Sequence, residues 1–348
     1  MAQNSTNNQQ INVAVSGIPR GYHFPLENGN WLQEHHKQQI LSVSPRINLV
    51  EIPAREVQEV NFEELKIEAV LAEGGNRTHY AGELDWEDYQ LFFTPSLRWV
   101  QLCSTGFSDN ITPQILDGEV VLTNAPGLHT LPIAESVLGA MLDHAKNFKQ
   151  RRIDQQSYQW NQLKNDELTG RTVLIVGLGK IGKRVAKLCQ AFDMHVIGCK
   201  RRFGPVAAVD EVFPVEELAD YLPQADYIVI AVPLTPQTEY LLGRASLRKL
   251  KSTAYLINVG RGKVVDEAAL LDLLQTGKIA GAYLDALTQE PLPSEHPFWE
   301  QENVFLVPHD SHSSPYIGDR MVDQFCANLA RYVAGETLHN ICDPQRGY

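Results

Sequence analysis

Gly177-Leu178-Gly179-Lys180-Ile181-Gly182 follows the apolar run Arg171–Val176 and opens a segment in which Ile181, Val185, Leu188, Cys189 and Phe192 recur at helical spacing. Val173, Leu174, Ile175 and Val176 read as a strand, so the glycines fall on the turn between a strand and a helix. That context predicts a dinucleotide-binding crossover. Gly177 permits the tight turn, Gly179 lets the backbone approach a pyrophosphate, and Gly182 lets helix and strand pack closely. Lys180 and Ile181 begin the helix whose amides face the anion. A second strand, Met194–Cys199, ends in Lys200-Arg201-Arg202. The residue that reads the ribose hydroxyls lies roughly 20 positions on, where NAD-binding chains carry an acid and a cationic cluster suits a 2′-phosphate. NADP(H) is therefore favoured. NAD(H) stays open, because a solvated basic turn or an Arg stacked on adenine would read the same way.

The chain has 348 residues, 43% hydrophobic and 21% charged, enough for two domains with separate cores. A formal net charge of −12 without a basic stripe argues against nucleic acid and anionic membranes as partners and leaves a small molecule. Ala2–Gln10 is polar and reads as a frayed tail rather than a signal peptide, and no run is long enough to span a bilayer. The cysteines Cys103, Cys189, Cys199, Cys326 and Cys342 lack CxxC spacing, which predicts reduced thiols and a cytoplasmic protein. Cys199, beside the predicted adenosine site, is the one whose reactivity is worth testing.

Strand-like segments at Ile11–Ser16, Asn48–Ile52, Ala69–Ala72, Trp99–Cys103 and Val120–Thr123 give an α/β pattern in the first third. A helix over Leu131–Phe148 then crosses into a second unit, whose six expected strands begin at Val173, Val196, Tyr227, Ala254, Ala282 and Val304. The amphipathic helix Asp319–Ala334 is expected to pack back on the first unit. This makes residues 1–126 and 311–348 one discontinuous domain and 127–310 a Rossmann dinucleotide-binding domain inserted into it. No solenoid repeat or low-complexity linker is present.

In open parallel sheets ligands bind beyond the carboxyl ends of the strands. Ala254–Val259 ends in Gly260-Arg261-Gly262, Ala282–Leu284 ends in Asp285 with Glu290 in the following loop, and Val304–Val307 ends in Pro308-His309. The three side chains suit reduction of a 2-oxo acid. Arg261 can fork onto the substrate carboxylate and polarise the carbonyl, and His309 can protonate the developing alkoxide. Glu290, accepting from the other ring nitrogen, would hold the tautomer and favour the imidazolium. Taken singly each has a blander reading, as an exposed Arg, a turn-forming Glu and a loop His; their joint placement at successive strand ends carries the argument. Asp310 and His312 offer two ligands without a third, so no metal site is predicted.

These residues resemble the D-isomer-specific 2-hydroxyacid dehydrogenase family. The matching stretches are Gly177–Gly182, Val232-Pro233-Leu234-Thr235-Pro236-Gln237-Thr238, Ile257–Gly262, Gly281–Asp285 with Glu290–Pro293, and Val307–His309. Ser104-Thr105-Gly106-Phe107 is similar to the family's substrate-carboxylate loop, and Thr123–Gly127 with Ile133-Ala134-Glu135 to its interdomain passage. The resemblance implies a flavodoxin-like substrate domain, a cleft that closes on the Rossmann domain, and Arg261, Glu290 and His309 as catalytic triad. It implies that Thr105 and Gly106 supply backbone donors to the substrate carboxylate, that Val232, Pro233 and Thr238 line the cofactor, and that Asp285 contacts the nicotinamide amide. It implies a homodimer through the dinucleotide domains, with Leu131–Leu163 in the interface.

The chain departs from the family pattern at Lys200 and Arg201, at Ser108, where an Asp is frequent, and at His312, where a small residue is common. The loop Glu73-Gly74-Gly75-Asn76 matches no specificity signature. The expected activity is NADP(H)-dependent interconversion of a small 2-oxo and 2-hydroxy acid, glyoxylate or hydroxypyruvate first. The rivals are an NAD-dependent oxidation of a D-2-hydroxy acid, including phosphoglycerate or phosphite dehydrogenases, and a dinucleotide-sensing corepressor.

Overall fold

Val173–Val176 is apolar at every position and fully buried, as a strand covered on both faces must be. The same pattern recurs along the chain, and the result, in a computed structural model, is two sheets in which every ladder is parallel. The structure describes residues 9–16, 31–52, 54–72, 89–107, 110–201 and 204–344. Most of the polar N-terminal tail, the Glu73–Asn76 loop, Ser108 and Arg202 lie outside them.

The chain divides into two compact units, residues 1–129 with 313–348, and residues 130–312. In the first, strands β1 (Ile11–Ser16), β2 (Ile47–Ile52), β3 (Ala69–Ala72), β4 (Trp99–Leu102) and β5 (Val121–Thr123) lie in the order β2-β1-β3-β4-β5, which is the flavodoxin-like order. Helices α1 (Glu34–Ser42) and, from the far end of the chain, Ile317–Ala334 cover one face. Trp99 stacks on Phe325 of the latter at 5.1 Å, and a buried polar chain ties the segment down. Trp99 Nε1 donates to Thr123 Oγ1 at 2.7 Å, Thr123 Oγ1 to Gln101 Oε1 at 2.9 Å, and Asn328 Nδ2 to Gln101 Oε1 at 3.1 Å. A carboxylate adds a clamp between the same helices: Asp319 Oδ1 accepts from His36 Nε2 at 2.9 Å and His35 Nε2 at 3.0 Å.

In the second unit, helices α2 (Thr130–Lys146), α3 (Phe148–Gln156), α4 (Lys180–Gln190) and α5 (Glu267–Gln275) accompany a seven-stranded sheet. The strands are β6 (Thr172–Val176), β7 (His195–Lys200), β8 (Glu211–Pro214), β9 (Tyr227–Ile230), β10 (Tyr255–Asn258), β11 (Gly281–Leu284) and β12 (Val304–Leu306), in the order β12-β11-β10-β9-β6-β7-β8. This is the Rossmann order with one further strand, and it reverses direction between β6 and β9. The sequence predicts six strands; β8 escapes that reading because only Val212 and Phe213 in it are apolar and it occupies an edge. Phe192, expected on the buried face of α4, instead lies past its end and is 37% exposed, because the chain turns at Ala191–Asp193. The C-terminal helix, α6 (Ile317–Ala334), begins two residues before the expected Asp319.

Candidate active site

At the reversal point the glycine turn meets the end of β9. Gly177 has φ +102°, a conformation that favours glycine, and a Cβ there would stand 2.6 Å from Val232 Cγ1 and 2.7 Å from Ala231 O. Its N–H donates to Cys199 O at 3.1 Å, so the turn is tied to the last residues of β7 and Lys200 follows directly. Gly182 has no room for a Cβ either, because Gly177 O and the Ile175 side chain occupy that space. Gly179, the N-cap of α4, differs. Nothing lies within 4 Å of its notional Cβ, and no side chain caps the helix. An open, uncapped helix N-terminus behind two tightly packed glycines fits a dinucleotide pyrophosphate.

Lys180 and Arg201 are exposed, while Ile181 and Lys200 are half-buried. The Thr238 hydroxyl accepts from Thr235 N at 2.7 Å and donates to Pro233 O at 2.6 Å, so it shapes the Val232–Thr238 loop from within. Cys199, the thiol singled out for a reactivity test, is buried within β7, and burial pushes its pKa up to about 12.

The next three strand ends deliver the expected side chains. Asn258, the last residue of β10, accepts from Gly260 N at 3.1 Å and donates to Arg261 O at 3.2 Å and Ala286 O at 3.3 Å, joining the Arg261 turn to the chain after β11. Arg261 Nη1 donates to Gly260 O at 2.8 Å. Gly262 lies against the backbone of Leu287 and Thr288, so close that no side chain fits. Beyond β12, Pro308 centres a γ-turn in which His309 N donates to Val307 O at 2.9 Å, and His309 then takes φ +53°. Its Nδ1 meets Glu290 Oε2 at 2.8 Å, with the two side chains 17% and 29% exposed. The other Glu290 oxygen accepts from Leu287 N at 2.8 Å.

Asp285, buried at the end of β11, accepts from Ser311 N at 3.0 Å and Ser311 Oγ at 2.5 Å, and so holds the chain two residues past His309. Burial raises its pKa, against the Ser311 bonds and the nearby His309. His312 is buried with its ring perpendicular to that of His309, the centroids 6.1 Å apart.

In the first unit, the expected carboxylate loop follows β4. Asn124 Nδ2 donates to Thr105 O at 2.6 Å, the Ser104 hydroxyl to Gly106 O at 2.8 Å, and the Thr105 hydroxyl to Ala125 O at 3.3 Å. Among the described residues neither Thr105 nor Gly106 donates its N–H to another group.

Metal-ligand spacing among the described residues falls elsewhere, at His35, His36 and Asp319. There, His36 Nδ1 accepts from Gln33 N at 3.2 Å, which puts the ring proton on Nε2, where Asp319 takes it. The group is accounted for as a clamp. Sequence reading missed Asn258 and the brace that Glu267 gives Thr288, described below. Asn258 stood in a quoted motif, but its bonds reach backbone atoms that only the fold brings near.

The family model "D-isomer specific 2-hydroxyacid dehydrogenase, NAD binding domain" matches residues 138–311. A glyoxylate reductase from Thermofilum pendens is 36% identical over 253 residues, 70% of this chain and 74% of the relative. A D-isomer specific 2-hydroxyacid dehydrogenase family protein from Aeromonas salmonicida superposes with a TM-score of 0.79 at 27% identity, covering 96% of this chain and 99% of that one. The D-isomer specific 2-hydroxyacid dehydrogenase from Xanthobacter autotrophicus, in complex with NADPH and MES, gives 0.74 at 26% identity over 98% and 100%. The chain belongs to the D-isomer-specific 2-hydroxyacid dehydrogenase family and is an oxidoreductase using a nicotinamide dinucleotide.

Proposed function

We propose that this dehydrogenase uses NADPH to reduce a small 2-oxo acid, glyoxylate or hydroxypyruvate first. The reading rests above all on the 2.8 Å contact between His309 Nδ1 and Glu290 at the rim of the Rossmann sheet. With Nδ1–H donated to the carboxylate, Nε2 is the ring atom left to act on substrate, and Glu290 holds the ring in that orientation. A nicotinamide, when bound, would supply the hydride for the carbonyl carbon. His309 Nε2 supplies the proton to the oxygen, and Arg261 binds the carboxylate while polarising the carbonyl. The N–H groups of Thr105 and Gly106 serve as donors to a substrate carboxylate. Gly177, Gly179 and Gly182 with the first turn of α4 hold the pyrophosphate, Val232, Pro233 and Thr238 shape the adjoining wall, and Asp285 serves the nicotinamide amide. Lys200, Arg201 and Arg202 favour the 2′-phosphate, since Lys200 follows directly on the strand end that is bonded to Gly177.

The substrate-binding domain is residues 1–126 with 311–348, and the dinucleotide-binding domain is 127–310. The protein works as a cytoplasmic homodimer. Support for the dimer comes from Tyr158 and Trp160, which are 98% and 99% exposed within the Leu131–Leu163 segment.

The test is initial-rate oxidation of NADPH and NADH with glyoxylate, hydroxypyruvate, pyruvate and phenylpyruvate, with His309→Ala as the blank. NADPH turnover lost in that variant, with dinucleotide affinity kept, is the expected result. Neutral replacements at Lys200 and Arg201 should then weaken NADPH selectively. A large preference for NADH in the unmodified protein would overturn the cofactor assignment, and equal loss of binding and turnover in His309→Ala would make that residue structural.

A further inference from the structure

The chain from Asp285 to Glu290 must deliver a carboxylate to His309 without a helix or strand of its own. Its second residue past β11 is held by Asn258, through Ala286 O at 3.3 Å. Its last turn closes on itself, through the 2.8 Å bond from Leu287 N to Glu290 Oε1. Between them, Thr288 N donates to Glu267 Oε1 at 2.7 Å. Glu267 is the first residue of α5, and that helix start is fixed independently: the Asp266 side chain caps it by accepting from Ala269 N at 2.9 Å. Glu267 is half-buried, and the other charged groups that act on it are Glu290 and His296. A carboxylate kept there carries a desolvation cost that the Thr288 N–H bond opposes.

We infer that Glu267 is a positioning residue of the dehydrogenase site: it anchors Thr288 to a capped helix start and thereby holds the Glu290 carboxylate in register with His309. The inference rests on the roles proposed above for Glu290 and His309. The competing account is local, with an acidic side chain in the first turn of a helix that merely favours the dipole. The two separate cleanly. Glu267→Asp keeps the charge at the helix start but is one methylene too short for Thr288, whereas Glu267→Gln discards the charge and keeps an oxygen that can accept from Thr288 N.

The measurement is steady-state kinetics of the full-length protein with NADPH and glyoxylate, together with dinucleotide affinity by fluorescence titration. Glu267→Ala and Glu267→Asp should both lose on the order of 10- to 100-fold in kcat with dinucleotide affinity within about twofold, the loss expected when a charge-assisted contact is misplaced. Glu267→Gln should recover most of kcat. In the background of Glu290→Gln, Glu267→Asp should cost little more, because both act on one contact. A near-normal kcat in Glu267→Asp, or full additivity with Glu290→Gln, would overturn the inference. If Glu267→Ala does not fold, the Asp and Gln pair decides alone. If Glu290→Gln and His309→Ala themselves retain full kcat, the reading of the site fails and this inference with it; if they lose activity and Glu267→Asp does not, only the anchor fails.

Discussion

Replacing Gly177 with alanine asks whether the glycine turn is as crowded as its geometry indicates. Two costs add. An L side chain at φ +102° is held in a sparsely populated region, at about 1–3 kcal/mol. The new methyl would also stand 2.6 Å from Val232 Cγ1 and 2.7 Å from Ala231 O, where carbon atoms normally settle at about 3.5–4.0 Å. Overpacking of that kind costs about 1–3 kcal/mol. The sum, about 2–6 kcal/mol, is a large part of a typical total of about 5–15 kcal/mol. At roughly 2–4 °C per kcal/mol, the melting transition should fall by on the order of 5–20 °C. Because Gly177 N also donates to Cys199 O, displacement of the turn should weaken dinucleotide binding as well. Adding Val232→Ala removes the Cγ1 contact but neither the Ala231 O contact nor the backbone conformation, so it should restore less than half of the loss. Differential scanning calorimetry and fluorescence titration with NADPH measure both effects. A Gly177→Ala protein that melts within 2 °C of the parent (about 1 kcal/mol or less) and binds as tightly would refute the reasoning.

Arg261→Lys should lower kcat/KM on the order of 10- to 100-fold, since a point charge cannot reproduce a planar two-bond grip on a carboxylate; near-normal kinetics with glyoxylate would remove Arg261 from substrate recognition. Burial lowers the pKa of His36, so the unfolded state binds its proton first as the pH falls. Its contribution to stability is complete above about pH 6.5 and is lost as pH falls through the folded-state value, so Tm should drop on acidification from about pH 7. His36→Asn should flatten that dependence, and an unchanged Tm-against-pH slope would show that other groups carry it. The Cys199 thiol, pushed up to about 12 by burial, should resist iodoacetamide in the folded protein at pH 8 and react only after denaturation. Labelling of the native protein at that residue, read by peptide mass spectrometry, would contradict its burial within β7.

The residues that sequence reading singled out are those whose signal is local. Gly177, Gly179 and Gly182 announce a turn by their spacing, and Arg261, Glu290 and His309 announce a rim because each follows a strongly apolar run. The contact of Glu290 with His309 could be argued from chemistry before any distance was available. Asn258, Glu267 and the Asp285 grip on Ser311 were not legible in the same way. Each works by holding a backbone N–H or carbonyl from a different segment, and such partners leave no pattern in side-chain order. Strand β8 was missed because Glu211–Pro214 alternates too briefly to register as a period, and it exists because β7 offers an open edge. Phe192 was misjudged because apolar spacing says nothing about where a helix stops.

The chain's discontinuity sets an order of events during synthesis. Every residue in the two buried clusters of the second unit lies between Ile133 and Val304, a single uninterrupted stretch. That unit can complete its interior while residues 313–348 are still inside or just leaving the ribosome. The first unit cannot, although most of it is translated earlier, because Ile317, Met321, Val322, Phe325 and Leu329 fill its interior beside Trp99. Until they arrive, one face of the older sheet waits open to water. The part of the protein made first is therefore the last to close, and while residues 313–348 still occupy the ribosome a finished nucleotide fold is tethered to an unfinished partner.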